Sequence, residues 1–258
     1  MTPLIFITGA SSGIGQALAW RYYQAGFSLA LVARRTDEIQ KWADGRALDA
    51  SRYRIYSADV AVIDSIVFAA KQCLQDQGVP DIVIANAGVS VGIDTAVRDD
   101  LDVLARTFAI NNVGLAATFH AFVEPMSLRG SGALVGVGSV AGIRGLPGHG
   151  AYCASKSGVI SYCESLRGEL RHAGVKVVTI CPGYIDTPLT QKNRYAMPFL
   201  MHADVFAEKA YAAIGAGVTY RVIPWQMGWL AKGLRLLPNA LFDKLLSGRP
   251  RKRRITGD

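Results

Sequence analysis

The apolar run at residues 3–8 passes directly into Thr8-Gly-Ala-Ser-Ser-Gly-Ile-Gly15, and residues 13–25 then read as a helix. A buried strand, a glycine turn and a helix in that order narrow the fold more than any other stretch of the chain. Gly9, Gly13 and Gly15 carry no Cβ, so the backbone can turn tightly there and come close to a ligand. The following helix directs its unpaired N-terminal amides at the loop, which makes a seat for a phosphate. The opening of the chain is therefore read as a nucleotide-binding strand–loop–helix.

The same alternation continues. Further strands are expected at 27–33, 54–58, 81–85, 133–137, 175–180 and 220–223. Helices are expected at 64–77, at 99–123 with Pro125 ending it, at 151–172, and at 204–214 with Asp204 as its cap. Strands alternating with helices give an α/β fold: a single-domain, doubly wound parallel sheet, Rossmann-like, of about seven strands with helices on both faces. Half of the 258 residues are apolar, which suits a sheet covered on both sides. The domain is expected to span 1–248, with 249–258 a basic, unordered tail.

Composition removes several alternatives. The four cysteines, 73, 153, 163 and 181, have neither metal-ligand spacing nor the pattern of a secreted disulfide framework, so no metal is expected and the thiols are read as reduced. The N-terminus reads as a strand rather than a signal peptide, and no run of 18 uncharged apolar residues occurs. A cytoplasmic protein is expected. The net charge of +8 is uneven, with Arg249, Arg251, Lys252, Arg253 and Arg254 crowded at the end. Such a cluster is usually solvated, and no nucleic-acid partner is expected.

The chemistry-bearing stretch is Ala151-Tyr152-Cys153-Ala154-Ser155-Lys156. Tyr152 and Lys156 are four residues apart, so on a helix they share a face, roughly 6 Å apart. A phenol with a reference pKa of about 10 is a poor acid or base at neutral pH, and a neighbouring ammonium is expected to lower it. Ser139 ends the apolar run 133–138 and is placed to hold a substrate oxygen from the other side. Cys153 points elsewhere on the helix, and His149 is read as a loop residue near water.

These motifs, in this order and spacing, resemble the short-chain dehydrogenase/reductase family over residues 4 to about 190. The pieces that carry the likeness are the glycine loop at Thr8–Gly15, Asn86-Ala87-Gly88, Asn111, Ser139 followed thirteen residues later by Tyr152, Lys156, and Pro182-Gly183 with Thr187 four residues on. The resemblance implies that Tyr152 is the general acid in reduction or the base in oxidation. It implies that Lys156 lowers the tyrosine pKa and holds the nicotinamide ribose, that Ser139 orients the carbonyl, and that Asn111 holds a water linking Lys156 to solvent. It also implies a cofactor envelope. Gly9, Ser11, Ser12, Gly13, Ile14 and Gly15 would form its floor, with Asp59 and Val60 at the adenine edge. Asn86, Ala87 and Gly88 would flank Tyr152 and Lys156, and Pro182, Gly183, Ile185 and Thr187 would meet the nicotinamide end. Homodimers or homotetramers are implied as well.

The end of the second strand bears on which nucleotide binds. An acid there would hold the adenosine ribose hydroxyls. Here Ala33 is followed by Arg34 and Arg35, whose guanidinium groups suit a 2′-phosphate, with Ser12 adding a hydroxyl; NADP is expected. Residues 184–218 are read as a substrate lid; its stretch 184–202 has no clear period, holds Met, Pro and Phe, and offers only Lys192 and Arg194 as charged groups able to clamp a small acid. That favours an apolar carbonyl or alcohol substrate. The apolar segment 225–246, broken at Gly233 and Pro238, is read in two ways. It covers the pocket or a subunit, or it lies with 225–254 peripherally on the inner face of a membrane. The expected reaction is carbonyl reduction, with alcohol oxidation or a catalytically silent nucleotide sensor as rivals.

Overall fold

A computed structural model gives the fold and describes residues 2–191, 193, 196–248, 252 and 254. Lys192 and Arg194, and Arg249, Arg251 and Arg253 of the tail, lie outside the described residues.

The chain runs β1 (Leu4–Thr8), α1 (Gly13–Gln24), β2 (Ser28–Ala33), α2 (Thr36–Gly45), β3 (Tyr53–Ser57), α3 (Ile63–Asp76), β4 (Ile82–Ala85), α4 (Asp99–Phe108) and α5 (Gly114–Arg129). It continues with β5 (Gly132–Val137), α6 (Gly150–Glu169), β6 (Val175–Pro182), β7 (Ile185–Asp186), β8 (Met201–His202), α7 (Ala203–Gly215), β9 (Tyr220–Ile223), α8 (Trp225–Leu236) and α9 (Asn239–Leu246). Seven strands form one parallel sheet in the order β3-β2-β1-β4-β5-β6-β9. Every residue of β1 is buried because helices cover both faces. One face packs Phe6, Val83 and Leu134 against α3, α5 and α6, through Ile66, Phe122 and Val159. The other packs Ile5, Leu31 and Val178 against α1, α2 and α7, through Leu18, Ile39 and Phe206. Strand order reverses between β1 and β4, and the crevice opens at the C-terminal ends of the strands there.

Four local expectations are corrected. Pro125 does not end its helix: α5 continues to Arg129 and stops at Gly130, which adopts φ +70°. Its apolar face, Phe119, Phe122 and Met126, is fully buried on the sheet, and that packing outweighs one lost backbone hydrogen bond. Gly233 likewise does not break α8, which runs unbroken to Leu236. Asp204 makes no capping hydrogen bond; His202 is the N-cap residue and Asp204 sits in the first turn, where its charge still favours the helix dipole. Finally, the lid is not wholly irregular, because β7 and β8 pair as a small parallel ribbon.

Candidate active site

Each functional group is carried to the crevice by the end of an element. At β1 the loop needs its glycines. A Cβ on Gly15 would lie 2.2 Å from the Gly9 carbonyl oxygen, and one on Gly9 would lie 2.9 Å from Ala87 Cα. Gly13 takes φ +56°, and a Cβ there would come within 3.0 Å of Thr187 Cγ2, so the lid touches the glycine loop. Thr8 Oγ1 accepts from the amides of Asn86 (3.1 Å) and Ala87 (3.2 Å), while Asn86 Nδ2 donates to the Thr8 carbonyl at 3.0 Å. Asn86 thus ties β1 to β4 beneath the cleft, as expected for a residue that stabilises strand and loop. Thr8 as the clamp was legible only as part of the motif.

Asn111 lies in a single π-helical turn, 109–113, that joins α4 to α5. Its Oδ1 accepts from the Val89 amide at 2.9 Å, and its Nδ2 donates to the Val89 carbonyl (3.0 Å) and to Ser155 Oγ (2.9 Å). Its neighbour Asn112 turns to the Ser155 carbonyl instead. A Cβ on Gly88 would lie 3.2 Å from Asn111 Oδ1 and 3.4 Å from Lys156 Nζ, so these polar atoms meet over a residue with no side chain. The network fixes the first turns of α6, which carries Tyr152 and Lys156.

Ser139 leaves β5 in extended conformation, and its Oγ accepts from the Ala141 amide at 3.2 Å. It lies close enough to the Tyr152 phenol to favour the phenolate. Lys156 is buried; its Nζ donates to the Val137 carbonyl at 2.7 Å and sits 6.0 Å from the centre of the Tyr152 ring. The electrostatics differ from expectation. Burial pushes the Tyr152 phenol up to about 12, and Ser139 offsets only part of this. Burial also brings the Lys156 ammonium down to about 8. Desolvation is the largest cause for both groups, so burial rather than the lysine charge sets the direction of the tyrosine shift. The phenol is therefore held in its protonated, donating form.

Two cavities meet at this triad. The cleft, about 910 Å³, is lined by Gly9, Ser12, Gly13, Ile14, Arg35, Asn86–Gly88, Tyr152, Lys156, Pro182, Gly183, Ile185 and Thr187. A second chamber of about 610 Å³ opens from Ser139 and Tyr152 toward α8 and α9 and is lined mainly by Leu146, Leu189, Pro198, Met227, Leu230, Leu234, Phe242 and Leu246. The inner faces of α8 and α9 thus cover a pocket. Their outer side exposes Trp225, Trp229 and Leu236 on one stripe of α8, at 64, 71 and 85 %. Arg35, not Arg34, lines the cleft, and its Nη2 lies 3.5 Å from Ser11 Oγ; Arg34 reaches back to Asp59 at 3.7 Å. The Asp59 carboxylate also accepts from the Ala61 amide at 3.0 Å, so it holds the turn that carries Val60. Cys153 is buried, and burial raises its thiol pKa, which leaves it unreactive. His149 is buried rather than near water, and it lines the chamber.

The sequence reading missed Ser90, Thr190, Asn193, Lys252 and Arg254 in the cleft lining. Of the tail expected to be unordered, these last two are the described residues. Arg254 forms a two-point ion pair with Asp100, Nε–Oδ2 2.7 Å and Nη2–Oδ1 3.3 Å. Burial of Asp100 at the start of α4 was the signal, and only the fold reveals it.

The glycine cradle and the buried lysine fit a nicotinamide dinucleotide. Comparison with known proteins agrees. The family model described as short chain dehydrogenase matches residues 3–197. A Myxococcus xanthus (strain DK1622) protein described as an uncharacterized oxidoreductase is 36% identical over 237 residues, covering 92% of this chain and 93% of the relative. Among solved structures, a short-chain dehydrogenase/reductase of Burkholderia phymatum in complex with NAD superposes with a TM-score of 0.81 at 23% identity, covering 97% of each chain. A short-chain dehydrogenase of Sphingobium yanoikuyae in complex with NADPH gives 0.78 at 23% identity, over 99% of this chain and 98% of that one.

Proposed function

Because the chain belongs to the short-chain dehydrogenase/reductase family, an oxidoreductase family using nicotinamide cofactors, we propose that it reduces an apolar carbonyl compound to an alcohol with NADPH. The observation that carries this reading is the meeting of Ser139, Tyr152 and Lys156 where the glycine-lined cleft joins an apolar chamber. When bound, the nicotinamide cofactor supplies the hydride. Ser139 holds the substrate carbonyl oxygen through its hydroxyl. Tyr152, protonated and desolvated, donates its phenolic proton to that oxygen as negative charge develops there. Lys156 places a positive charge beneath the developing phenolate and holds the ribose. Gly9, Ser11, Ser12, Gly13, Ile14 and Gly15 would hold the pyrophosphate side, with Asn86, Ala87 and Gly88 next to them, and Thr187 would hold the nicotinamide end. Loss of NADPH absorbance with a panel of medium-chain aldehydes and ketones tests the reading; no turnover of any of them would favour the silent sensor.

We assign the 2′-phosphate to Arg35, with Arg34 held beside it by Asp59. A charge-assisted contact of this kind contributes about 1.5–3 kcal/mol. Arg35→Ala is therefore expected to weaken NADPH binding by about 10- to 150-fold and to leave NADH binding almost unchanged, as read by fluorescence titration. Equal losses for the two nucleotides would show that Arg35 does not read the phosphate.

The exposed stripe Trp225–Trp229–Leu236, with Lys232 between them, supports peripheral contact with an anionic membrane while the inner face of α8 covers the chamber. Co-sedimentation with phosphatidylglycerol vesicles is expected, and Trp225→Ser with Trp229→Ser is expected to abolish it. Sedimentation unaffected by the double change would place the contact elsewhere.

A further inference from the structure

Neither cavity is lined by a carboxylate side chain among the described residues, whereas four cationic side chains line the cleft and two line the chamber. Most of these cations are already engaged. Arg35 reaches the glycine loop and Lys156 the Val137 carbonyl. Arg144 donates to the Leu234 and Leu237 carbonyls and to Asn239 Oδ1, and stacks over Phe242 at 3.7 Å. Arg254 is spent on Asp100, a carboxylate with only 1 % exposure.

Lys252 is different. It lines the cleft and the chamber alike, at their shared edge with Ser90, Leu189, Thr190 and Asn193. It is half-buried, and no hydrogen bond or ion pair joins it to another described residue. Burial lowers its ammonium pKa, and its charge is felt at His149 across the same wall. A partly desolvated cation facing an apolar chamber is costly unless an anion meets it. The Arg254–Asp100 pair two residues on ties that part of the tail to α4, so Lys252 is held on the shared wall by a bond that does not use its own charge.

We infer that Lys252 is the anchor for an anionic group of the substrate. On this assignment the enzyme takes an amphipathic carbonyl compound, with its hydrocarbon part in the chamber under α8 and α9 and a carboxylate or phosphate at Lys252, where chamber and cleft meet. Among the described residues the chamber walls offer a cationic substrate no counter-charge. This rests on the chamber being the substrate site of the proposed reductase and narrows what that site accepts.

The test reads binding rather than turnover, so it separates from the reductase reading. With NADPH present, isothermal titration of the whole chain with decanoate and with decan-1-ol measures the preference for the charged head. Wild type is expected to favour decanoate. Lys252→Met is expected to cut that preference by about 10-fold or more, and Lys252→Arg to keep most of it. Asp100→Asn, which frees the tail without touching Lys252, is expected to cut the preference in part. The inference is overturned if decanoate shows no measurable binding, if Lys252→Met leaves the decanoate-to-decanol ratio unchanged, or if it weakens both ligands equally. Equal weakening would make Lys252 a packing residue. Loss of NADPH affinity with the ratio intact would make it a cofactor contact. If the binding preference holds while neither 10-oxodecanoate nor any member of the aldehyde and ketone panel is turned over, the anion contact at Lys252 stands and the reductase reading fails.

Discussion

Tyr152→Phe is expected to lower kcat for carbonyl reduction by about 10²- to 10⁴-fold, the usual range for removing a positioned general acid. The change deletes one hydroxyl from a buried ring and leaves its packing in place. NADPH binding should persist, because the cradle is built from Gly9, Gly13, Gly15, Asn86 and Lys156, none of which is held by the phenol. Stopped turnover with retained nucleotide fluorescence is thus the diagnostic pair. Full activity in Tyr152→Phe would remove the tyrosine from the chemistry and leave Ser139 or a bound water as the donor. Loss of nucleotide binding together with activity would instead point to a collapsed cleft.

Lys156→Met should lose at least as much in kcat/KM, on the order of 10³-fold, because it removes both a charge under Tyr152 and a hydrogen-bond donor in the cleft. It should also weaken NADPH binding, which Tyr152→Phe does not. If the two residues work as one unit, the double variant should be little worse than the poorer single one. Multiplying losses would show independent roles. The pH profile separates a charge role from a packing role. Burial disfavours the charged form of Lys156 and brings its ammonium down to about 8. Protonated Lys156 is present below that pH and is lost above it, so wild-type kcat/KM should fall as pH rises through about 8. Tyr152, pushed up to about 12, keeps its proton across this range and cannot cause that fall. In Lys156→Met the step should disappear. A step that survived in the variant would have to be assigned to another group.

Much of this site could be read before the fold was known, for a simple reason. Groups at the ends of parallel strands are set by local sequence: β1 must be followed by glycines where Gly15 sits against the Gly9 carbonyl, and four residues of α6 must put Tyr152 and Lys156 on one face. Those constraints act over a few residues, so they leave motifs. The helix boundary missed at Pro125 failed because tertiary burial outweighs propensity there, whereas Gly233 is exposed with open space around it and costs an α-helix only about 1 kcal/mol, too little to end it. The tyrosine electrostatics failed for a related reason. Spacing gives the lysine–tyrosine distance but not the depth of burial, and burial decides the sign of the shift.

The amino-acid sequence alone therefore determined the alternating α/β order, the glycine cradle, the Ser139–Tyr152–Lys156 triad and the family they mark. Tertiary structure alone decided which of two adjacent arginines faces the cleft, that α8 and α9 roof an apolar chamber, and that the tail returns to the site. Arg34 and Arg35 are alike in sequence, and only the pairing of Arg34 with Asp59 after β3 separates them. Asp100 and Arg254 lie 154 residues apart, and no local pattern records a contact formed by chain folding over that separation. Local geometry is written in neighbouring residues, whereas burial and long-range pairing exist only once the sheet has brought distant segments together.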